Sequence, residues 1–534
     1  MGLTPKENRT IMRYSPCYWL VQFLAWLILV STKNFTADSE DGSKLVFVQM
    51  IFRHGERNPQ FLMPTDVHNN VSTWFQGSLG ELTPKGMAEL YSLGQQISGR
   101  YGSFVDVDFA AKQLYLRSTD RNRTLTSAQS FLQGLLDKCY QRIGKKPRFY
   151  QPIPIHTIYG PLDSVVLVDT PCAKATQILQ KEIWRSPAWL KTVEENKNFL
   201  TWLEARSGIP GLTLDQLWKI VDPLTIEKHY PALHPWPSWV NASVLRKVQE
   251  LVDFVTHNKY HRPSLARLRG GQLIGEIINR MLHKAECSSR QSFTGKTELE
   301  SCHWINDLKF FAYSAHESTL LAVLETLARD DIRGQTGAAA LTKGSFPSHG
   351  ACLLFELRQR KDDGSFFVHM LYKNHYKDSF SPVRVSNGCR RNGNCELEIL
   401  RQRSKPFIPD DWATECSLHP LKKSSLRANK MKKHMILTDE LNNALLSLNL
   451  SNQSPHLDIL KLISNHPNIE KCLCPKECNA EEIRYYQGIA YLMGLLVLIN
   501  AFGVSFLLYN WSLKQMCWFN NQPWPLKKDA ALLQ

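Results

Sequence analysis

The sequence predicts an α/β fold in which a central mixed β-sheet is flanked by helices, interrupted by an α-helical insertion and followed by a C-terminal transmembrane helix. Three observations carry this reading. A β-rich apolar run that breaks at a polar turn and resumes as a helix occurs three times along the chain. Between the second and third occurrence, residues 173–300 change to a Trp-rich pattern of helical period. Near the end, Gly488 to Tyr509 carries no charge and is long enough, as a helix, to cross about 30 Å of hydrocarbon.

In order, the stretch 1–32 sets the apolar block Tyr18 to Ser31 behind Lys6, Arg9 and Arg13, the layout of a secretory signal peptide or of an uncleaved anchor. "KLVFVQMIF", Lys44 to Phe52, is apolar almost throughout, as a strand covered on both faces must be, and it stops at Arg53-His54-Gly55. "TPKGMAELYSLGQQISGRY" opens a helix with Thr83 as N-cap and Pro84 in the first helical position. "KQLYLRS", Lys112 to Ser118, is the second strand, with a helix from about Asp120, so the first part of the α/β core covers 44–172. Within 173–300, "KEIWRSPAWLKTVEENKNFLTWLEA" and "SVLRKVQELVDFV" repeat apolar residues at spacings of three and four, and the tryptophans read as packing. The core resumes over 301–420. "DLKFFAYSAHESTLLAVLETLA", Asp307 to Ala328, is a strand, a turn with His316 and Glu317, and a helix; "ACLLFELRQRKDDGSFFVHMLYKNH" is a hairpin turning at Asp362-Asp363-Gly364. A basic, Cys-containing membrane-proximal region (421–485), the span (486–511) and a tail (512–534) follow.

At 43% hydrophobic and 21% charged residues, the composition is that of a globular protein. The formal charge of +15 points to anionic partners, but the basic residues are spread, and the one dense run, Lys422 to His434, reads as a solvated loop and not as a nucleic-acid groove. Lys471, Lys476 and Arg484 before the span balance Lys514, Lys527 and Lys528 after it, so orientation follows from the N-terminal signal: a translocated middle and a cytosolic tail. Of 13 cysteines, Cys17 falls in the signal and Cys517 in the tail; the eleven between them fit an oxidising compartment and leave one unpaired. Sequons at Asn34, Asn70, Asn122, Asn241, Asn449 and Asn452 are glycosylation candidates there. In the tail, Asp529, Leu532 and Leu533 resemble an acidic dileucine sorting signal for endosomes and lysosomes. The cysteines of "CLCPKEC" lack a neighbouring His or fourth Cys and read as disulfide partners, not a metal site.

Three strand ends offer Arg53, His54 and Arg57, then Arg117, then His316 and Glu317. Residues just beyond the carboxyl ends of strands in an α/β sheet converge on one crevice. Three guanidiniums and two imidazoles there make a site for a tetrahedral dianion, because the planar Arg fork donates paired hydrogen bonds to phosphate oxygens. The anion supplies the charge that such a cluster otherwise lacks. Arg123 and Asp120 read as supports of the turn around Arg117.

A family resemblance rests on the same residues. "RHGERNP" matches the RHGxRxP signature of the histidine acid phosphatases, "LRSTDRNRT" resembles their second arginine motif, and "YSAHEST" stands where they carry a histidine-aspartate pair. Weaker likeness runs through "VDTPC", "GGQLIGEI", "GSFPSHGACLLFEL" and "DWATEC", so that roughly Lys44 to Cys416 is covered. With its signal and span, the layout is most similar to the membrane-anchored lysosomal and prostatic-type branch. The resemblance implies a histidine phosphatase (phosphoglycerate mutase-like) fold and hydrolysis of phosphate monoesters through a phosphohistidine, in the lumen or outside the cell. It implies His54 as nucleophile, Glu317 as general acid and base, and Arg53, Arg57, Arg117 and His316 as phosphate ligands, with no cofactor and no metal. It also pairs Cys172 with Cys416 and Cys389 with Cys395, places the protein in the lysosome, the endosome or at the cell surface, and makes a homodimer plausible.

Two departures stand beside the matches. Glu317 replaces the usual aspartate, and "DPLTIEKHY" lacks the cysteine that would bridge to Cys352, which must find another partner or stay free. Cys287 and Cys302 could pair with each other. Two alternatives follow: a phytase-like or inositol-polyphosphate phosphatase, and a catalytically weak phosphatase-like binding or surface protein.

Overall fold

The apolar run at Lys44 becomes β1 (Ser43–Arg53), and its neighbours explain why it alternates so little. Phe47 and Ile51 pack into one apolar layer while Val48, Met50 and Phe52 pack into another, so both faces are covered. The structure, a computed structural model, describes residues 42–66, 70–145, 151–290, 302–327, 347–383, 385, 388–390 and 392–418, all within a first unit, Met1–Lys422. The signal (1–32), the sequons at Asn34, Asn449 and Asn452, the membrane-proximal region, the span at 486–511 and the tail lie outside the described residues. Among the described residues, no helix is long and apolar enough to cross a membrane.

Among the described residues, eight strands form one mixed sheet. In spatial order they are β3 (Ile155–Ile158), β2 (Leu114–Thr119), β4 (Phe310–Ala315), β1, β5 (Cys352–Arg360), β6 (Phe366–Lys373) and β7 (Ser381–Pro382), with β8 (Asn394–Glu396) also paired to β6. The half from β3 to β1 is parallel and the half from β1 to β7 antiparallel. The β5–β6 hairpin turns where Asp362-Asp363-Gly364 predicted, with Gly364 at φ +70°.

On one face lie α1 (Pro84–Tyr101), whose N-cap Thr83 accepts a hydrogen bond from Gly86 N, and α2 (Asn122–Arg142); Leu90, Leu93, Ile97, Phe131 and Leu135 fill the layer beneath them. The helical stretch contains α3 (Ala173–Ile178), α4 (Pro187–Glu195), α5 (Lys197–Ser207), α6 (Trp218–Glu227) and α7 (Ala242–Tyr260), gathered around their own core of Trp189, Leu203, Ile220 and Leu251. The next helix, α8 (Pro263–Arg290), falls inside the stretch read as the insertion but sends Leu273, Ile274 and Ile277 against the sheet. It shares that face with α10 (Glu317–Leu327), which follows the short α9 (His303–Asp307) and β4. Beyond the sheet come α11 (Leu397–Ser404) and α12 (Trp412–Cys416).

Disulfides join Cys172 to Cys416, Cys389 to Cys395 and Cys287 to Cys302. The first ties the start of the helical cluster to α12 across 244 residues. Cys352 is free and wholly buried, its thiol pushed up to about 12 by burial, which makes it an inert packing group; Cys139 is the other free thiol among the described residues.

One buried acid sets a pH preference for stability. Glu227, at the end of α6, is 2% exposed and hydrogen-bonded to Asp66; burial, and then the second carboxyl, push its pKa up from 4.5 to about 9. A carboxyl raised in this way is at no disadvantage below pH 4.5, and it costs stability progressively as pH rises from 4.5 to about 9. Glu227→Gln is therefore expected to gain on the order of 1–3 kcal/mol in urea unfolding at about pH 7, and nothing at about pH 4. An equal gain at both values would rule this account out.

Candidate active site

Register brings two of the strand ends together. Arg53 on β1 pairs with Ala315 on β4, and His54 N donates to Ala315 O at 3.1 Å. His54 and His316, each the first residue past its strand, therefore stand side by side with ring centroids 5.5 Å apart. The turn after His54 requires glycine, because a Cβ on Gly55 would sit 2.2 Å from Gly86 O at the start of α1. On the other side, β5 runs antiparallel to β1 with Cys352 opposite Phe52, so the residues before β5 face the end of β1. This delivers His349, whose ring centroid is 5.8 Å from that of His54.

His54 is buried, and its Nδ1 lies 2.8 Å from Gly55 O. A carbonyl only accepts, so Nδ1 carries the proton and Nε2 keeps its lone pair. His316 Nε2 is 2.9 Å from Thr119 Oγ1, at the end of β2. Glu317, the first residue of α10, sits with Oε2 3.0 Å from Arg53 Nη1, and the same nitrogen donates to Pro347 O at 2.5 Å.

Four arginines approach this point, and they are not equivalent. Arg57 forms a fork on Asp222 of α6, at 2.6 and 3.2 Å, and also donates to Asn58 O at 3.0 Å. Arg117, expected among the phosphate ligands, donates to Asp163 at 2.7 Å and to Glu276 of α8 at 3.3 Å. Its strand runs on to Thr119, so Arg117 lies two residues short of the strand end, opposite Tyr313 in the register with β4. Arg123, read from sequence as a support of the turn, lies in the first turn of α2, past the end of β2. It makes no hydrogen bond or ion pair among the described residues, and burial together with Arg57, Arg121 and Arg53 holds its pKa down to about 9.

The histidines register these charges. Burial is the first cause, and the guanidiniums add to it, holding His54, His316 and His349 well below the ordinary 6.5. Arg123 is the leading charge on His54 and His316, and Arg53 on His349. Glu317 moves the other way: burial raises its pKa, Arg53 and Arg57 oppose the rise, and Asp222 and Asp253 assist it.

Glu56, inside the "RHGERNP" motif, does not face the imidazoles. Its buried carboxylate is held by Lys85, by His229 Nδ1 at 2.5 Å and by Tyr230 Oη at 2.5 Å, and these bonds outweigh burial to bring it down to about 2. The pair His229-Tyr230 thus ties the helical cluster to the motif. His349 and Asp222 are members of this cluster that the sequence reading did not name, and Arg123 it named only as a support of the turn. The signal for His349 was its position before a strand antiparallel to β1; for Arg123 it was a position past the strand end; Asp222 carried none.

The model for the histidine phosphatase superfamily, branch 2, matches residues 44–373. The chain is 33% identical over 376 residues to putative acid phosphatase 5 of Caenorhabditis elegans, covering 70% of this chain and 79% of that protein. It is 34% identical over 377 residues to lysosomal acid phosphatase of Xenopus laevis, again 70% and 79%, and 32% identical over 375 residues to human prostatic acid phosphatase, 70% and 88%. A solved phytase of Citrobacter braakii, 15% identical, is similar with TM-score 0.48 over 70% of this chain and 100% of that one. Motif order, sheet and matched length agree, and the chain belongs to branch 2 of the histidine phosphatase superfamily.

Proposed function

We infer that this protein is an acid phosphatase, a hydrolase of phosphate monoesters that works through a phosphohistidine on His54. The observation that carries the reading is Arg123: a guanidinium with no ion pair among the described residues, beside the His54 and His316 imidazoles whose pKa it helps to lower, is a place that an anion completes. In this reading Arg53, Arg57 and Arg123 hold the non-bridging oxygens, and His316 and His349 add hydrogen bonds. Arg117 is a positioning residue that braces β2 against α8.

His54 Nε2 attacks phosphorus in line, the ester P–O bond breaks, and Glu317 gives its proton to the leaving oxygen. The carboxylate then takes a proton from water; the water oxygen attacks phosphorus, the P–N bond breaks, and inorganic phosphate leaves with His54 restored. The acidic working range follows from the two pKa directions. His54, lowered, stays a free base into acid solution, and Glu317, raised above 4.5, stays an acid further toward neutrality. Activity accordingly falls as pH drops through the histidine values and as it rises through that of Glu317.

The test is p-nitrophenyl phosphate hydrolysis from about pH 4 to 8 with chelator present, together with an alkaline quench that preserves phosphohistidine. A bell with its maximum on the acid side is expected. Glu317→Gln should lower kcat by roughly 10²–10⁴-fold and accumulate phosphoenzyme, because nitrophenolate leaves without much acid help while hydrolysis needs the base. No base-stable phosphoryl adduct in either form would sink the covalent route.

The same proposal includes a single-pass membrane protein anchored through 486–511, with the catalytic domain in the lumen or outside the cell, in the lysosome, the endosome or at the surface. The uncharged run and the three disulfides support it. A homodimer of the catalytic domain belongs to this reading as well.

A further inference from the structure

A second group of metal-ligating side chains lies where α7 and α10 end. His257 and His261 stand one turn apart at the C-terminal end of α7, and Glu325 meets them from α10. One nitrogen from each imidazole and one Glu325 oxygen lie within 4.8 Å of one another, with His261 Nδ1 3.2 Å from Glu325 Oε2. The two rings stack at 4.3 Å between centroids. The carboxylate is sealed, its side chain 4% exposed, while His261 is 30% exposed, so the group has a dry end and an open one.

Several features favour a cation here over a simple ion pair. The buried Glu325 carboxylate has a ring nitrogen of both His257 and His261 within 4.8 Å. A buried carboxylate calls for a compensating positive charge beside it. The C-terminal turn of α7 supplies both imidazoles, and a helix C-terminus carries partial negative charge that a cation relieves. Two nitrogens and one oxygen are a donor set of borderline softness, suited to zinc more than to calcium or magnesium.

We propose that His257, His261 and Glu325 form a binding site for one divalent cation of the zinc class, separate from the phosphate pocket. Glu325 is eight residues along α10 from Glu317, about 12 Å at the helical rise. Zinc bonds of about 2.0–2.1 Å set tetrahedral donors roughly 3.3 Å apart, within side-chain rotation of the arrangement observed, and leave a fourth position for water. The ion would join the helical cluster, through α7, to the helix that begins with Glu317. Another group, His283 with Cys287 and Cys302, has both thiols in a disulfide and serves as a control.

The experiment uses the full chain, oxidised and stripped of metal, titrated with Co(II) at about pH 7.5 and then with Zn(II) in competition. The expected result is a visible absorption of tetrahedral cobalt that one equivalent of zinc abolishes, and a melting temperature raised by zinc. His257→Ala/His261→Ala should lose that equivalent and the zinc-dependent rise while still hydrolysing p-nitrophenyl phosphate, and His283→Ala should keep both. Glu325→Gln should weaken zinc by at least about tenfold, the cost already typical of outer-shell partners. Equal zinc stoichiometry in wild type and double variant would overturn the proposal. If the double variant does not fold, the wild-type cobalt spectrum and Glu325→Gln decide, and an octahedral spectrum or unchanged zinc affinity would equally overturn it.

Discussion

Replacing His54 with alanine is expected to bring p-nitrophenyl phosphate turnover to background, a loss of at least roughly 10⁴-fold in kcat. No neighbouring group can take its place: His316 Nε2 lies against Thr119, and the His349 ring, on the segment before β5, is centred 5.8 Å from that of His54. The anion site should survive, because Arg53, Arg57 and Arg123 are untouched, and inorganic phosphate should still raise the melting temperature of His54→Ala. That second measurement separates a lost nucleophile from a lost fold. Retention of more than about a hundredth of the wild-type kcat would remove His54 from the nucleophile's role. The variant should also be less sensitive to acid. A histidine whose folded pKa lies well below 6.5 costs stability as pH falls below 6.5, since the unfolded chain takes up the proton first, and above 6.5 the cost is absent. Removing one of three such histidines should flatten the decline of melting temperature on the acid side.

The second large effect separates two arginines six positions apart in sequence but different in surroundings. Arg123→Ala is expected to lower kcat/KM by roughly 10²–10³-fold with little change in stability, because its guanidinium has no hydrogen-bond or ion-pair partner among the described residues. Arg117→Ala should do the reverse. It leaves Asp163 as a buried carboxylate without its ion pair, at a cost of about 3–5 kcal/mol, while the folded fraction keeps most of its kcat/KM. Adding Asp163→Asn to Arg117→Ala removes the stranded charge and should recover a large part of that stability. Urea unfolding and steady-state kinetics on the same preparations read both effects. Should Arg117→Ala be stable and Arg123→Ala fully active, the assignment of these two residues would have to be exchanged.

Much of the fold could be read because burial leaves local traces. β1 is covered on both faces, so its run is apolar without alternation, and Thr83-Pro84 marks the start of α1 by the same capping chemistry that the structure displays. Gly55 announces the tight turn against Gly86. The helical stretch was legible from its period, but α8 was not separable from it. An apolar stripe has the same pattern whether it meets other helices or a sheet, and only packing told Leu273, Ile274 and Ile277 apart from the residues around Trp189.

By itself, then, the chain's sequence determined the strand, turn and helix units, the motif residues Arg53, His54, Arg57, His316 and Glu317, and the family to which they belong. Residue type and spacing suffice there, because each feature depends on neighbours within a few positions. Tertiary structure alone decided which other side chains join them. Arg117 and Arg123 are told apart by a strand end two residues further on, at Thr119; His349 enters through the antiparallel pairing of β5 with β1; Asp222 reaches Arg57 from a helix 165 residues away. Contacts of that kind depend on the register and packing of distant segments, which no short stretch of sequence records.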